Sequence, residues 1–300
     1  MRLASLIAAA TLVALSFAAD AASRTAREAG GHVVTIAVHE ASGEVAQMTT
    51  TWFVPPGKGP FPVVLFSHGR AGNEADRDRL APGISRSQLA YWLGKGVAVV
   101  SPVRPGYGDS GGGGDVEQNG AHFDAAGHCT STPDYRRTAD AAVLSIQAAL
   151  QWLRAQPWAD ADDVLLVGQS VGGLASVAAA AQPLPGVVGY VNFAGGAGGS
   201  PARSPGASCD PDQLRDLFAS YGRTTRVPSL WLYATNDQYW GPDAPAAWHA
   251  AFAQGARRTR FVQAPAVADG DGHGLSRHDA SLWAPAVDAF IATLQFLHSR

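Results

Sequence analysis

The stretch DVLLVGQSVGGLASVAAAA, Asp163–Ala181, decides the fold. It opens as a short apolar run, Asp163–Gly168, of the kind that forms a strand buried on both faces. It continues without a linker into a small-residue helix, Gly172–Ala181. Between the two stands Gly-x-Ser-x-Gly, with Ser170 at its centre. A strand that turns straight into a helix makes a strained elbow, which lifts the serine hydroxyl clear of the sheet. Side chains at positions 168 and 172 would collide in so tight a turn. The helix N-terminus then faces the place where negative charge would develop on a bound carbonyl.

Outward from this elbow, strand-like and helical runs alternate. His32–His39 and Gln47–Val54 are β-branched stretches joined by Ala41-Ser42-Gly43-Glu44, a hairpin signal. Pro62–His68 and Val97–Pro102 read as buried strands, with a helix over Ser87–Lys95 between them. Arg137–Gln156 carries the strongest helical periodicity and is closed by Pro157. Beyond the elbow, Val187–Phe193, Pro228–Ala234 and Thr259–Gln263 are strands. Helices are expected over Pro211–Ser220, Ala244–Gln254 and Trp283–His298. The pattern predicts one α/β domain over residues 22–300, with a mostly parallel central sheet flanked by helices and entered through an antiparallel hairpin.

Residues 1–21 are expected to be a signal peptide. A short basic start, Met1–Arg2, leads an apolar run to Ala19, and Ala19-Asp20-Ala21 fits a small-x-small cleavage site. The alternative is a membrane anchor, for which the run is slightly short and lacks a following basic cluster. The expected location is secreted or periplasmic. Export makes a Cys129–Cys209 disulfide plausible, against two unpaired buried thiols. A net charge of −3 with 46% hydrophobic residues excludes a disordered or polybasic nucleic-acid-binding chain. Glycine and proline, at 34 and 19 residues, imply much loop and turn.

The serine motif occurs twice, and context separates the copies. Gly108-Asp109-Ser110-Gly111-Gly112 resembles the nucleophile segment of chymotrypsin-like proteases, and Ala126-Gly127-His128-Cys129 their histidine segment. Those enzymes are all-β and run His, Asp, Ser along the chain, whereas here His128 follows Ser110. Ser110 also stands in a run of glycines that suits no helix. Ser170 is therefore the candidate nucleophile.

A serine hydroxyl attacks only when a base removes its proton, and the base needs an orienting carboxylate. In elbow architectures the chain order is Ser, acid, His, with the last two on loops after strands. His273, in Asp269-Gly270-Asp271-Gly272-His273-Gly274, follows the Thr259–Gln263 strand and is the expected base; His278 is the alternative. His249 and His298 fall within expected helices. Asp237, directly after the Pro228–Ala234 strand, is the expected acid, with Asp243 as runner-up and Asp269 and Asp271 read as turn residues. The oxyanion donors should be the Val171 N–H and an N–H from the loop after Pro62–His68, assigned to Arg70. His68 is then a structural residue of that turn.

With HGR (68–70), RPGYGDSGG (104–112), GQSVGG (168–173), the Asn236-Asp237 pair and GDGHG (270–274), the chain resembles the α/β-hydrolases, closest to the dienelactone hydrolase-like and secreted esterase branch. The resemblance covers the chain from about residue 32 and implies a serine carboxylesterase acting on small-molecule or polymer esters. Dienelactone hydrolase itself carries a cysteine nucleophile, so Ser170 favours ordinary ester chemistry. A prolyl-oligopeptidase-type peptidase or an acyltransferase would use the same triad. A catalytically silent binding protein would keep only the fold.

Around the site, Tyr239 and Trp240 are candidate pocket walls. The 195–222 segment is a candidate lid that a Cys129 link would pin, and the loops 105–120 and 195–206 are expected to frame the entrance. Arg70, Arg77, Arg79, Arg86, Arg136 and Arg137 raise the question of an anionic substrate group, against the plainer reading of solvated charge. No cofactor, metal site, nucleic-acid partner or stable membrane anchor is expected, since neither the His/Cys clusters nor the Gly111–Gly114 run has the needed spacing.

Overall fold

The computed structural model describes residues 30–297 apart from 72, 114–118, 269 and 295, so the expected signal peptide lies outside the described residues. The chain opens with β1 (His32–His39) and β2 (Val45–Phe53), an antiparallel pair closed by a turn in which Gly43 takes φ +90°. Next come β3 (Phe61–Ser67), the short α1 (Glu74–Asp78), α2 (Arg86–Gly94) and β4 (Ala98–Pro102). The long helix α3 (Tyr135–Leu153) leads to the elbow of β5 (Ala159–Gln169) and α4 (Val171–Ala180). After it run β6 (Val187–Phe193), a two-stranded excursion of β7 (Gly199–Ser200) and β8 (Ser204–Ser208), and α5 (Pro211–Gly222). The chain ends with β9 (Ser229–Ala234), α6 (Ala244–Ala253), β10 (Thr259–Ala264) and α7 (Ala284–Ile291).

Eight strands form one sheet in the order β1-β2-β4-β3-β5-β6-β9-β10. Only β1–β2 and β2–β4 pair antiparallel; every other neighbour pair is parallel. Side chains that alternate along each strand feed two cores. Val63 and Leu65 of β3 face a core shared with α3, α4, α5 and α6, while Val64 and Phe66 face the one closed by α2 and α7. All ten residues of α4 are buried, which its Gly and Ala content permits by letting the helix nest between sheet and α3. Among the described residues, no helix is long and apolar enough to cross a membrane.

Three expectations need correction. The last helix stops at Ile291 instead of reaching His298, because the chain unwinds to bury Leu294 and Phe296 in the α2/α7 core. The described part of the 105–120 loop does not frame the cleft up to residue 113. It packs along the hairpin, where the Gly111 N–H donates to Gln47 O and Gly112 lies against Ala46. Within 195–222, Gly196–Gly199 borders the cleft, whereas α5 buries Leu214, Leu217 and Phe218 in the body of the domain. Cys129 and Cys209 are joined in a disulfide that ties the 119–133 loop to the end of β8.

Candidate active site

Ser170 has φ 57° and ψ −123°, a conformation few side chains adopt, and its N–H donates to Phe193 O at 2.9 Å. Glycine is compulsory on both sides. A Cβ on Gly168 would stand 2.0 Å from Gly172 O, and one on Gly172 only 1.9 Å from Ser67 O. The strain is therefore held by packing between β5, α4 and β3.

The histidine turn is a 3₁₀ segment, Gly272–Arg277. The Asp271 carboxylate caps it by accepting from His273 N at 2.9 Å, and the same oxygen accepts from Gln238 N at 2.9 Å. One side chain thus fastens the histidine turn to the acid loop. Gly272 has to be glycine, since a Cβ there would meet Asn236 Oδ1 at 2.5 Å. On the acid loop, Asp237 Oδ1 accepts the N–H groups of Tyr239 (2.8 Å) and Trp240 (3.1 Å). This leaves Oδ2 for His273 Nδ1, 3.1 Å away. Across the ring, His273 Nε2 stands 3.0 Å from Ser170 Oγ. With the Nδ1 proton given to the carboxylate, Nε2 is left as an acceptor facing the hydroxyl. All three residues are buried, at 6%, 2% and 5% exposure for Ser170, Asp237 and His273.

The competing assignments lie elsewhere. His278 ends the 3₁₀ turn and packs against Gly270 and Gly274, and Asp243 sits at the start of α6. His249 bonds Thr259 at the far side of β10. His68 is buried, its Nδ1–H donating to Gly69 O (2.7 Å) while Nε2 accepts from Arg104 N (3.0 Å). Burial and the Arg104 charge hold its pKa well below the ordinary value, which keeps it a neutral member of the turn. Ser110 is structural too: its Oγ donates to Val103 O (2.6 Å) and accepts from Thr49 N (2.9 Å), fastening the loop to β2.

Val171 is the first residue of α4, so its N–H is one of those a helix start leaves without an intrahelical partner. The loop after β3 passes close by, since a Cβ on Gly69 would lie 3.1 Å from Ser170 Cβ. Arg70 follows directly. The cleft over Ser170 encloses about 490 Å³ and reaches from Leu80, Pro82 and Ile84 on one side to Gly196–Gly199, Tyr239 and Trp240 on the other. Arg70 and Arg277 stand at its rim, whereas Arg136 and Arg137 line a separate groove beside the β1–β2 turn.

Four residues that the motifs do not single out support or border the site. Gln169 Nε2 donates to His273 O at 3.1 Å, so the residue before the serine braces the histidine turn. Asn192 on β6 fills the space that makes Gly173 and Gly195 obligatory, its Oδ1 lying 2.3 and 2.0 Å from their would-be Cβ atoms. Asn119 and Ser276 border the cleft without any motif to mark them.

A family described as Peptidase_S15, X-Pro dipeptidyl-peptidase (S15 family), matches residues 43–264. Among solved structures, the chain is similar to the Pyrococcus furiosus esterase Pf2001, at 13% identity over 89% of this chain and 95% of that one, with a TM-score of 0.58. It is similar to Est1E from Butyrivibrio proteoclasticus at 14% identity, 87% and 97% coverage, and a TM-score of 0.54. The Pyrococcus horikoshii acylaminoacyl peptidase matches at 12% identity over 90% of this chain but 43% of its own, with a TM-score of 0.58. At these identities the likeness establishes the α/β-hydrolase fold. No curated protein matches the sequence. The family found is S15; it does not confirm the narrower resemblance to the dienelactone hydrolase-like branch that the motifs suggested.

Proposed function

The chain belongs to the S15 peptidase family, and on that premise we propose that it is an exported serine hydrolase cleaving carboxylic esters through an acyl-enzyme on Ser170. The observation that carries the reading is the unbroken line from Asp237 Oδ2 through both His273 ring nitrogens to Ser170 Oγ, 3.1 and 3.0 Å. In the proposed reaction Ser170 Oγ attacks the ester carbonyl and its proton passes to His273 Nε2. Asp237 keeps the imidazole in the needed tautomer and stabilises the imidazolium. The carbonyl oxygen becomes an oxyanion between the Val171 and Arg70 N–H groups, each such donor being worth about 10²–10³ in kcat. His273 returns the proton to the leaving alcohol, and water, activated by the same base, releases the acid.

An ester is preferred to a peptide because the esterase Pf2001 and Est1E are covered over 95% and 97% of their length, while the acylaminoacyl peptidase shares only 43% of its chain. The family description itself favours the second reading, a dipeptidyl-peptidase on the same triad. Export is supported by the leader-like residues 1–21 and by the Cys129–Cys209 disulfide, a bond that persists in oxidising compartments.

The test assays p-nitrophenyl acetate and glycyl-proline p-nitroanilide in parallel with wild type and Ser170→Ala. Ester turnover that vanishes in the variant is expected. Anilide turnover without ester turnover selects the peptidase, and a chain that no fluorophosphonate probe labels is a binding protein.

A further inference from the structure

We propose that Arg104 is a positioning residue whose guanidinium fixes the Gly69–Arg70 peptide so that the Arg70 N–H points at the oxyanion formed on Ser170. The inference rests on the serine hydrolase reading above.

Arg104 follows β4, opens the RPGYGDSGG segment and is 1% exposed. A buried guanidinium is costly unless its donors are engaged. Here the two Nη groups reach two consecutive backbone carbonyls: Nη1 donates to His68 O, and Nη2 to Gly69 O at 3.0 Å. The Arg104 backbone N–H donates to His68 Nε2 at 3.0 Å, and the other ring nitrogen of His68 gives Gly69 O a second bond at 2.7 Å. The Tyr107 ring closes the group, 5.1 Å from the guanidinium carbon and edge-on to His68 at 4.8 Å.

The Gly69 carbonyl is therefore held by two donors. Arg104, one of them, lies behind the loop, outside the cleft that His68, Gly69 and Arg70 line. In a trans peptide the C=O and the following N–H point in opposite directions. Fixing the oxygen on the Arg104 side turns the Arg70 N–H toward the cleft, where Gly69 already abuts Ser170. The loop has no slack on the cleft side either, since a Cβ on Gly69 would stand 2.2 Å from Gln169 Oε1. A planar fork can hold two successive carbonyls at once, which a lysine ammonium on its single flexible stem does less well. The cation also polarises the amide it binds, strengthening the N–H at its other end.

The decisive variant is Arg104→Lys, which keeps the buried charge and loses the fork. We expect kcat for p-nitrophenyl acetate to fall about 10- to 100-fold, less than the loss of a whole donor, with KM within about threefold. Inhibition by phenylboronic acid, whose adduct oxygen occupies the oxyanion position, should weaken by a similar factor while the melting temperature holds. A folded variant with wild-type kcat overturns the proposal, as does a kcat loss with unchanged boronate affinity. Should the variant not fold, ¹⁵N-labelled wild type decides: the Arg70 amide proton must move downfield on forming the boronate adduct, and an unmoved resonance overturns the inference. Ser170→Ala run alongside separates the two readings. If that variant stays active, the hydrolase reading fails; if it is dead while Arg104→Lys is unaffected, only the positioning role fails.

Discussion

The phenol ring of Tyr239 lies face to face with the imidazole of His273, 3.9 Å between centroids and 26° between planes. Trp240 meets the same imidazole edge-on at 5.3 Å. Both residues donate their N–H to Asp237 Oδ1, so the carboxylate that orients the base also seats the two rings that confine it. Burial raises the Tyr239 phenol, with the Arg70 charge pulling the other way, and the ring stays neutral over the working range.

An aromatic face stabilises the imidazolium by ~0.5–1 kcal/mol as it takes the serine proton, and it stops the ring from turning away. Tyr239→Phe should keep nearly full kcat, whereas Tyr239→Ala should lose about twofold to fivefold with KM less affected. Steady-state kinetics on p-nitrophenyl acetate checks this. A phenylalanine variant as impaired as the alanine one would give the hydroxyl the role assigned to the ring.

The two serine motifs make opposite predictions. Ser110 Oγ is buried between Val103 O and Thr49 N, so Ser110→Ala leaves a buried donor and acceptor unpaired at about 1–3 kcal/mol. Its cost should appear in stability, as a melting temperature lower by roughly 2–10 °C for a chain of this size, with kcat unchanged. Ser170→Ala should do the reverse. Lost activity in a stable Ser110→Ala protein would make Ser110 part of the chemistry.

These two serines also show what the sequence could and could not tell. The elbow is legible because it is local: five consecutive residues bind strand, turn and helix together, although only Gly168 is dictated from within the motif, Gly172 being required by Ser67 O of β3. Asp237 and His273 are legible because each stands on a loop after a strand, three residues beyond β9 and nine beyond β10. The clamp on His68 and Gly69 is not, since Arg104 joins them from 35 or 36 positions away. Nor is β7–β8, where Gly199, Gly206 and Pro205 carry no strand periodicity, and pairing arises from a turn fixed by the disulfide and by Tyr135. The end of α7 is hidden for a similar reason: the run to His298 has helical character, but burying Leu294 and Phe296 overrides it.

The disulfide acts on both stability and the cleft. Its separation of 80 residues corresponds to about 4.5 kcal/mol of unfolded-chain entropy in the simple loop model. Cys209 N also donates to Gly198 O at 3.0 Å, and Ser208 Oγ to Ala197 O at 2.8 Å, so the bridged segment holds the glycine wall beside Tyr239 and Trp240. The double variant Cys129→Ser/Cys209→Ser should melt roughly 5–15 °C lower and show a raised KM, with kcat changed less. Calorimetry with and without reductant checks the first part. A wild-type protein whose melting ignores reductant under unfolding conditions would contradict it.

His249 supplies a pH dependence independent of catalysis. It lies between Trp231 and Phe261, ring centroids 5.4 Å away in each case, with Nε2 2.9 Å from Thr259 Oγ1, which in turn accepts from Ser229 at 2.8 Å. Burial lowers its pKa to about 4. An unfolded histidine titrates near ~6.5, so between those values the unfolded chain binds a proton that the folded one refuses. The contribution is full above the unfolded value and is lost as pH falls toward 4. His68, also held low by burial, adds in the same direction. Urea denaturation at about pH 7.5 and pH 4.5 should therefore show wild type losing more stability in acid than His249→Gln, with His68 leaving a residual slope in the variant. Equal losses in the two proteins would mean that His249 takes up its proton inside the fold.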